Sequence, residues 1–541
     1  MAQYRFYSKC RNAMSEGAKK DPAIKRDAAT RHAPAGKREP ARKHEPARKH
    51  EPDWIVTLEP DRHSPLTLGR QLYLALYEAI ASGRLPHGET LPASRSLAAR
   101  LGVSRNTVVA AVSQLADEQL VSSDGRRGTV VTTQVSPPGD SAAAIRRDGP
   151  GRPVRPLSTR AATLSVVEPA HRDLSSGEPD ASLFPAVRWQ RALARAARLP
   201  AAELGYSNGV TARLQVGIAR HLAVYRSLVV DPARVVVTSS TRQSLMLAAA
   251  LYTDPGDTAW LETPGYPGAV EAFRAAGLEM QACPVDDDGA RPTAPVAELQ
   301  SQGEGPNPPG LVYLTPCFQY PLGMPLSVSR RDEFLELSAR HGAVLFEDDY
   351  DSEFRDDLQP RPALASAADA SGACVLHAGT FSKLVFPAAR VAWLVVPEGH
   401  AGQARSMLRA LGGSHGTIMQ AAILDLLESG VISRHLQHAR QIYARRRIVL
   451  REQLQTSQTL RLAGGGGLSA VLELKEPRSL TRLSRAIDEA GLGAVPLERF
   501  RWDRPLLRRC RHLVIGLGSK NSLSLSDSLA RLEDAVDGVV G

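Results

Sequence analysis

The chain is short of cysteine, of long apolar runs and, beyond its first fifty residues, of net charge. Each shortage excludes something. Five cysteines are scattered over 541 residues (Cys10, Cys283, Cys317, Cys374, Cys510), odd in number and without a CxxC spacing. That argues against a disulfide framework and a zinc site, and fits a reducing cytoplasm. No run approaches the roughly 18 apolar residues of a membrane span. The first residues are charged and lack the apolar stretch of a signal peptide. The formal charge is +10, but residues 1–52 hold 14 Lys/Arg against 6 Asp/Glu, so most of the surplus sits in that tail.

What is present divides the chain into four parts. Residues 1–65 form a basic tail with a near-repeat, Arg38-Glu39-Pro40-Ala41-Arg42-Lys43-His44-Glu45-Pro46 and onward. Proline at 40, 46 and 52 prevents a continuous helix, and little apolar surface is there to bury, so the segment reads as disordered. Non-specific attraction to DNA is its sharper alternative. Residues 66–132 form a compact helical unit. Residues 133–170 are rich in Ser, Pro, Gly, Ala and Arg and read as a linker spanning on the order of 30–40 Å. Residues 171–541 alternate strands and helices in an α/β manner.

In the helical unit, Leu72, Leu76 and Ile80 step by four along a helix over Leu68 to Ile80. A second helix opens at Leu91-Pro92-Ala93-Ser94-Arg95, turns Leu97, Ala98 and Leu101 inward and ends at Gly102. Ser104 is a candidate N-cap for a third helix with Val108, Val112 and Leu115 on its buried stripe. Arg105, Asn106 and Thr107 then occupy the exposed first turn, the part of a helix-turn-helix that enters the major groove. Val121 to Thr132 reads as a two-stranded wing tipped by Gly125-Arg126-Arg127-Gly128-Thr129. A bundle with surface arginines is the bland reading. The full string resembles the winged helix-turn-helix of the GntR family of bacterial regulators. The resemblance implies DNA contacts by Arg95, Arg105 and Thr107, with Arg126 and Arg127 on phosphate or in the minor groove.

In the α/β part, Val235–Thr238, Thr258–Leu261, Leu311–Leu314 and Ala343–Phe346 read as buried strands. The first runs into the turn Ser239-Ser240-Thr241-Arg242-Gln243, with a helix expected from Ser244. The second runs into Pro264-Gly265-Tyr266-Pro267-Gly268, and the fourth into Glu347-Asp348-Asp349-Tyr350-Asp351. Ligands of open α/β sheets gather at such carboxyl ends. Downstream, Gly379-Thr380-Phe381-Ser382-Lys383 supplies a lysine able to form a Schiff base with an aldehyde cofactor. An upstream aspartate and tyrosine are the anchors that pyridoxal 5'-phosphate (PLP) needs.

This region resembles the fold type I aminotransferase-like domain of PLP-dependent proteins. With the winged helix in front, the chain resembles the MocR-type subgroup of GntR regulators. The resemblance implies a Schiff base at Lys383, Asp348 on the pyridinium nitrogen, Tyr350 on the ring oxygen and Tyr266 stacked on the ring. It implies phosphate binding by Thr380, Ser382 and Arg390 and by the backbone at Thr241 and Arg242. It also implies a homodimer. The fold class expected is thus α/β, a winged helix-turn-helix plus a PLP-binding aminotransferase-like domain.

Three departures bear on function. Ser240 stands where the family favours glycine, and its side chain is expected to crowd the phosphate approach. Tyr320 stands where catalytic aminotransferases carry Asn. Val514, in Leu513-Val514-Ile515-Gly516-Leu517, stands where the fold's substrate-carboxylate arginine is expected. Arg509 and Arg511 are the candidate substitutes. Without that clamp transamination is disfavoured. The reading is a cytoplasmic regulator that binds operator DNA and responds to PLP, an amine or an amino acid. A working aminotransferase with a DNA-binding domain is the alternative, and a regulator that has lost PLP is a third.

Overall fold

The computed structural model describes residues 60–124, 128–132, 157–162, 164, 172–205, 209–293, 308–355, 361–413, 416–518 and 524–539. The proline-containing repeat, most of the expected linker, and Arg126 and Arg127 lie outside the described residues. The chain separates into two compact units, 1–154 and 155–541.

The first unit packs helices α1 (Leu68–Ala81), α2 (Ser94–Leu101) and α3 (Arg105–Asp117) on a small sheet of β1 (Thr90–Leu91), β2 (Val121–Asp124) and β3 (Gly128–Val131). Local sequence dictates the corners. Gly102 adopts φ 61°, and the Ser104 side chain accepts the Thr107 N–H at 3.1 Å, starting α3 where its N-terminal donors would be left bare. Leu76, Leu97, Val108 and Leu115 are buried together. Ala111, rather than the half-buried Val112, completes the inner stripe of α3. The wing has one strand more than expected, because Thr90 and Leu91 pair with Val130 and Thr129.

The second unit is built on an eight-stranded sheet in the order β4-β11-β10-β9-β8-β5-β6-β7. These strands are β4 (Val235–Thr238), β5 (Thr258–Thr263), β6 (Glu279–Asp286), β7 (Gly289–Ala290), β8 (Leu311–Leu314), β9 (Val344–Asp349), β10 (Cys374–Thr380) and β11 (Ala392–Val395). The run β10-β9-β8-β5-β6 is parallel. Both faces are covered: Val344 and Phe346 enter one apolar cluster and Leu345 another. That is why these strands read as continuous apolar runs in the sequence. A second, antiparallel sheet takes the order β12-β13-β15-β14, from β12 (Leu460–Gly466), β13 (Ser469–Ser479), β14 (Val495–Pro496) and β15 (Arg509–Gly516). Helices α4 (Gly209–Arg226), α5 (Thr241–Tyr252), α6 (Pro267–Ala276), α7 (Phe381–Leu384) and α8 (Val431–Thr456) frame the site.

Two sequence expectations need correction. Helix α5 begins at Thr241, not Ser244, because the Ser240 hydroxyl accepts the Gln243 N–H and caps it. The acidic patch does not follow β9 but lies partly within it, since Glu347, Asp348 and Asp349 continue the strand beside β10.

Candidate cofactor site

Strand β9 carries Asp348 inward at the point where β10 turns into α7 and Lys383. Asp348 is buried; its Oδ2 accepts the Tyr313 hydroxyl at 2.8 Å, and its enclosed Oδ1 has no hydrogen-bond partner among the described residues. An unpaired buried carboxylate oxygen is costly unless something charged meets it. Burial pushes this carboxyl up to about 7, against the opposing pull of Tyr313.

Lys383 is half-buried. Burial pushes its amine below the ordinary value, while the charges of Asp351 and then Asp348 pull it back up. Gly177 adjoins it at φ 71°, where a Cβ would stand in ordinary contact, 3.5 Å from the Lys383 Nζ and 3.9 Å from the Tyr320 hydroxyl. Tyr320 packs edge-on against Tyr266, Tyr350 and Phe500, with centroids 5.6–5.7 Å apart. Its loop is tied down by Gln319, whose amide donates to Pro264 O at 2.8 Å and to Glu262 at 3.2 Å. Tyr266 and Tyr350 thus flank Tyr320, and the charge of Asp348 is felt at Lys383, Tyr266 and Tyr350.

The expected phosphate groups surround this cluster with different degrees of freedom. Thr380 is buried and its hydroxyl accepts the Ser382 N–H at 3.0 Å, capping α7; Ser382 is half-buried. At the start of α5, no hydrogen bond among the described residues uses the Thr241 or Arg242 backbone N–H. Ser240 turns its hydroxyl back onto its own helix. The Arg242 side chain is engaged elsewhere, 2.9 Å from Glu271 and in contact with the Tyr266 hydroxyl. Arg390 is exposed at φ 50°.

A cavity of about 740 Å³ opens beside the cluster, with Ser176, Arg242, Tyr266, Tyr320, Arg499 and Phe500 in its wall. Val514 is fully buried against Leu497 and Phe500, so an aliphatic side chain fills the place expected for a guanidinium. Neither candidate substitute lines the cavity: Arg509 donates to Pro477 O at 2.8 Å, and Arg511 lies 3.6 Å from Glu473.

Sequence reasoning missed Tyr313, Asp351 and Gly177. Tyr313 lies in an apolar strand, and Asp351 carried its signal only as one more acid in the patch. In the first unit, Arg95, Arg105 and Asn106 are exposed, whereas the Thr107 hydroxyl is 2.8 Å from Ser104 Oγ.

Comparison with known proteins bears on the family and the fold. Residues 172–510 match the aminotransferase class I and II family and residues 68–131 the bacterial regulatory proteins of the gntR family. The probable rhizopine catabolism regulatory protein MocR of Rhizobium meliloti is 34% identical, over 72% of this chain and 77% of that protein. The HTH-type pyridoxine biosynthesis transcriptional regulator PdxR of Corynebacterium glutamicum is 30% identical, over 90% and 99%. Among solved structures, LysN, the α-aminoadipate aminotransferase of Thermus thermophilus, is similar with TM-score 0.59 and 25% identity, covering 68% of this chain and 92% of LysN. That structure holds N-(5'-phosphopyridoxyl)-L-leucine. Kynurenine aminotransferase of Pyrococcus horikoshii aligns with TM-score 0.61 and 22% identity, covering 71% and 97%.

Proposed function

The chain belongs to the MocR-type subgroup of the GntR family, DNA-binding transcriptional regulators with an aminotransferase-like domain, and on that premise we propose that this domain binds PLP at Lys383 and uses it to sense a ligand. The observation that carries this reading is the enclosed, unpartnered Oδ1 of Asp348 in electrostatic reach of the Lys383 amine. A protonated pyridine nitrogen is the kind of donor that oxygen lacks. Lys383 would hold the cofactor covalently, Tyr350 would meet its ring oxygen and Tyr266 would cover its face. The bare N–H groups of Thr241 and Arg242 at a helix N-terminus would receive the phosphate. Thr380, Ser382 and the exposed Arg390 complete that anion site. When bound, PLP supplies an electrophilic aldehyde and an electron sink.

In the first unit, Arg105 and Asn106 on the exposed turn of α3 would read base edges, Thr107 would fix that turn, and Arg95, Arg126 and Arg127 would hold the backbone. Ligand state would shift DNA binding through differential affinity for two arrangements. The effector would be PLP itself or an amine or amino acid that reacts at Lys383, in a cytoplasmic homodimer. The relative named for pyridoxine biosynthesis supports PLP itself as a ligand of interest.

Turnover needs a substrate oriented for proton removal, with Lys383 as base. Val514 offers no bidentate clamp, so amino acids should react slowly and stop short of product. Steady-state assay with a panel of amine donors tests this. Keto acid at an ordinary enzyme rate, on the order of 1 per second, would favour the aminotransferase alternative.

A further inference from the structure

We infer that Tyr313 is the positioning residue of Asp348: its hydroxyl takes one carboxyl oxygen and leaves the other as a single, fixed acceptor for a protonated ring nitrogen. The inference rests on the reading of Asp348 as the partner of that nitrogen. Strand register brings the pair together. In the parallel pairing of β8 with β9, Tyr313 lies opposite Phe346, and Asp348 stands two residues further along, on the same face. The Tyr313 ring stacks on Phe346, with centroids 6.0 Å apart and planes at 23°. From there its hydroxyl reaches along β9 and donates to Asp348 Oδ2 at 2.8 Å. Tyr313, Phe346 and Asp348 are 1%, 0% and 4% exposed, so water does not compete for that bond.

Burial then divides the work between the two oxygens. Asp348 Oδ1 is enclosed and has no hydrogen-bond partner among the described residues. Swinging the carboxyl away would forfeit the one hydrogen bond that its side chain makes among those residues, in a core too dry to replace it. Oδ1 is thus held in place by a bond made at Oδ2. Tyr313 also stays a donor, because burial, and then the charges of Asp348 and Glu262, keep its hydroxyl well above the ordinary value.

The same bond bears on the charge of the acid. Burial pushes the Asp348 carboxyl up to about 7, and Tyr313 opposes that rise most. Among the other groups that Asp348 faces, Asp349 raises it, while Lys383 and His377 lower it. Glu262, Tyr266 and Tyr350 are within reach of its charge. Replacing the phenol by phenylalanine keeps the ring and its stack on Phe346 but removes the strongest opposing donor. The carboxyl then rises further, stays neutral through the neutral range and no longer meets a pyridinium as an anion.

Two arms on the full-length protein test this. In the first, wild type, Tyr313→Phe and Asp348→Ala are titrated with PLP and with its deaza analogue, whose ring carries carbon in place of nitrogen. The probes share aldehyde, phosphate and ring oxygen, so the ratio of their dissociation constants isolates the nitrogen contact. Asp348→Ala should erase the wild-type preference for PLP, and Tyr313→Phe should cut it about tenfold, the equivalent of one pKa unit. A folding defect weakens both probes and leaves the ratio alone. A ratio that Asp348→Ala lowers and Tyr313→Phe does not overturns the inference; a wild type without preference refutes the reading of Asp348 instead. The second arm is urea unfolding of the cofactor-free protein. Folding raises the Asp348 value, so stability held at acid pH is lost as pH rises through the folded value. Without the Tyr313 hydroxyl that value is higher and the loss runs further. Tyr313→Phe should therefore lower the urea midpoint increasingly as pH rises above about 7, and lower it no further in an Asp348→Ala background. An equal loss at every pH, or the same loss without Asp348, overturns the inference whether or not PLP binds.

Discussion

Two arginines show how differently the two units use charge. Arg105 stands exposed on the first turn of α3, held out by the Ser104 cap. Arg226, at the end of α4, is 2% exposed and spends its guanidinium inside the protein. It pairs with Asp349, reaches Glu347 at 3.7 Å and donates to Arg361 O at 2.8 Å. Burial resists ionisation of Glu347, yet the His377 ring 3.3 Å away and the Arg226 guanidinium hold it down to about 2. At Arg105 charge is left exposed for a partner, and in the sheet it is consumed in holding a row of acids in place. The first arrangement makes function separable from stability, and the second does not.

The comparison breaks most readily at Arg226. Arg226→Ala strands Glu347 and Asp349 without their cation, and losing one member of a buried network costs about 3–5 kcal/mol. Urea unfolding of the second unit should register that loss. A change under about 1 kcal/mol would mean the network is not holding the strand. Arg105→Ala should leave unfolding unchanged and cost about 1–3 kcal/mol of specific DNA binding. Equal losses on specific and random DNA would remove α3 from base recognition. The smallest expected effect is at Ser104→Ala, which removes the side-chain cap of the Thr107 N–H and leaves it only the Ser104 carbonyl at 3.1 Å, and should cost about 1 kcal/mol of first-unit stability. Thermal melting monitored in the first unit checks it, and an unchanged midpoint would count against the cap.

Legibility in the sequence follows the same division. The winged helix is specified by short-range signals: Gly102 closes α2, Ser104 opens α3, and the four-residue steps show α1. Strands β4, β5 and β8 were readable because sheets covered on both faces demand apolar runs. Helix α5 was placed late because Ser239, Ser240 and Thr241 are all plausible caps, and only the Ser240–Gln243 bond decides. The extension of β9 was hidden because Glu347 and Asp349 are poor strand residues, kept there by Arg226, His377 and the Leu364 N–H. At the site, the order of motifs points to Lys383, Asp348 and Tyr350. Tyr313 and the Asp351–Leu468 bond were not legible, since they join residues 35 and 117 positions apart. Local pattern does not carry such contacts.

The central claim is that the second unit holds PLP on Lys383. The direct measurement is borohydride reduction of protein incubated with excess PLP, followed by peptide mass mapping. The account predicts a yellow protein, a phosphopyridoxyl group on Lys383, and no such visible band in Lys383→Ala. A colourless wild type, or a label on another lysine in place of Lys383, would contradict it.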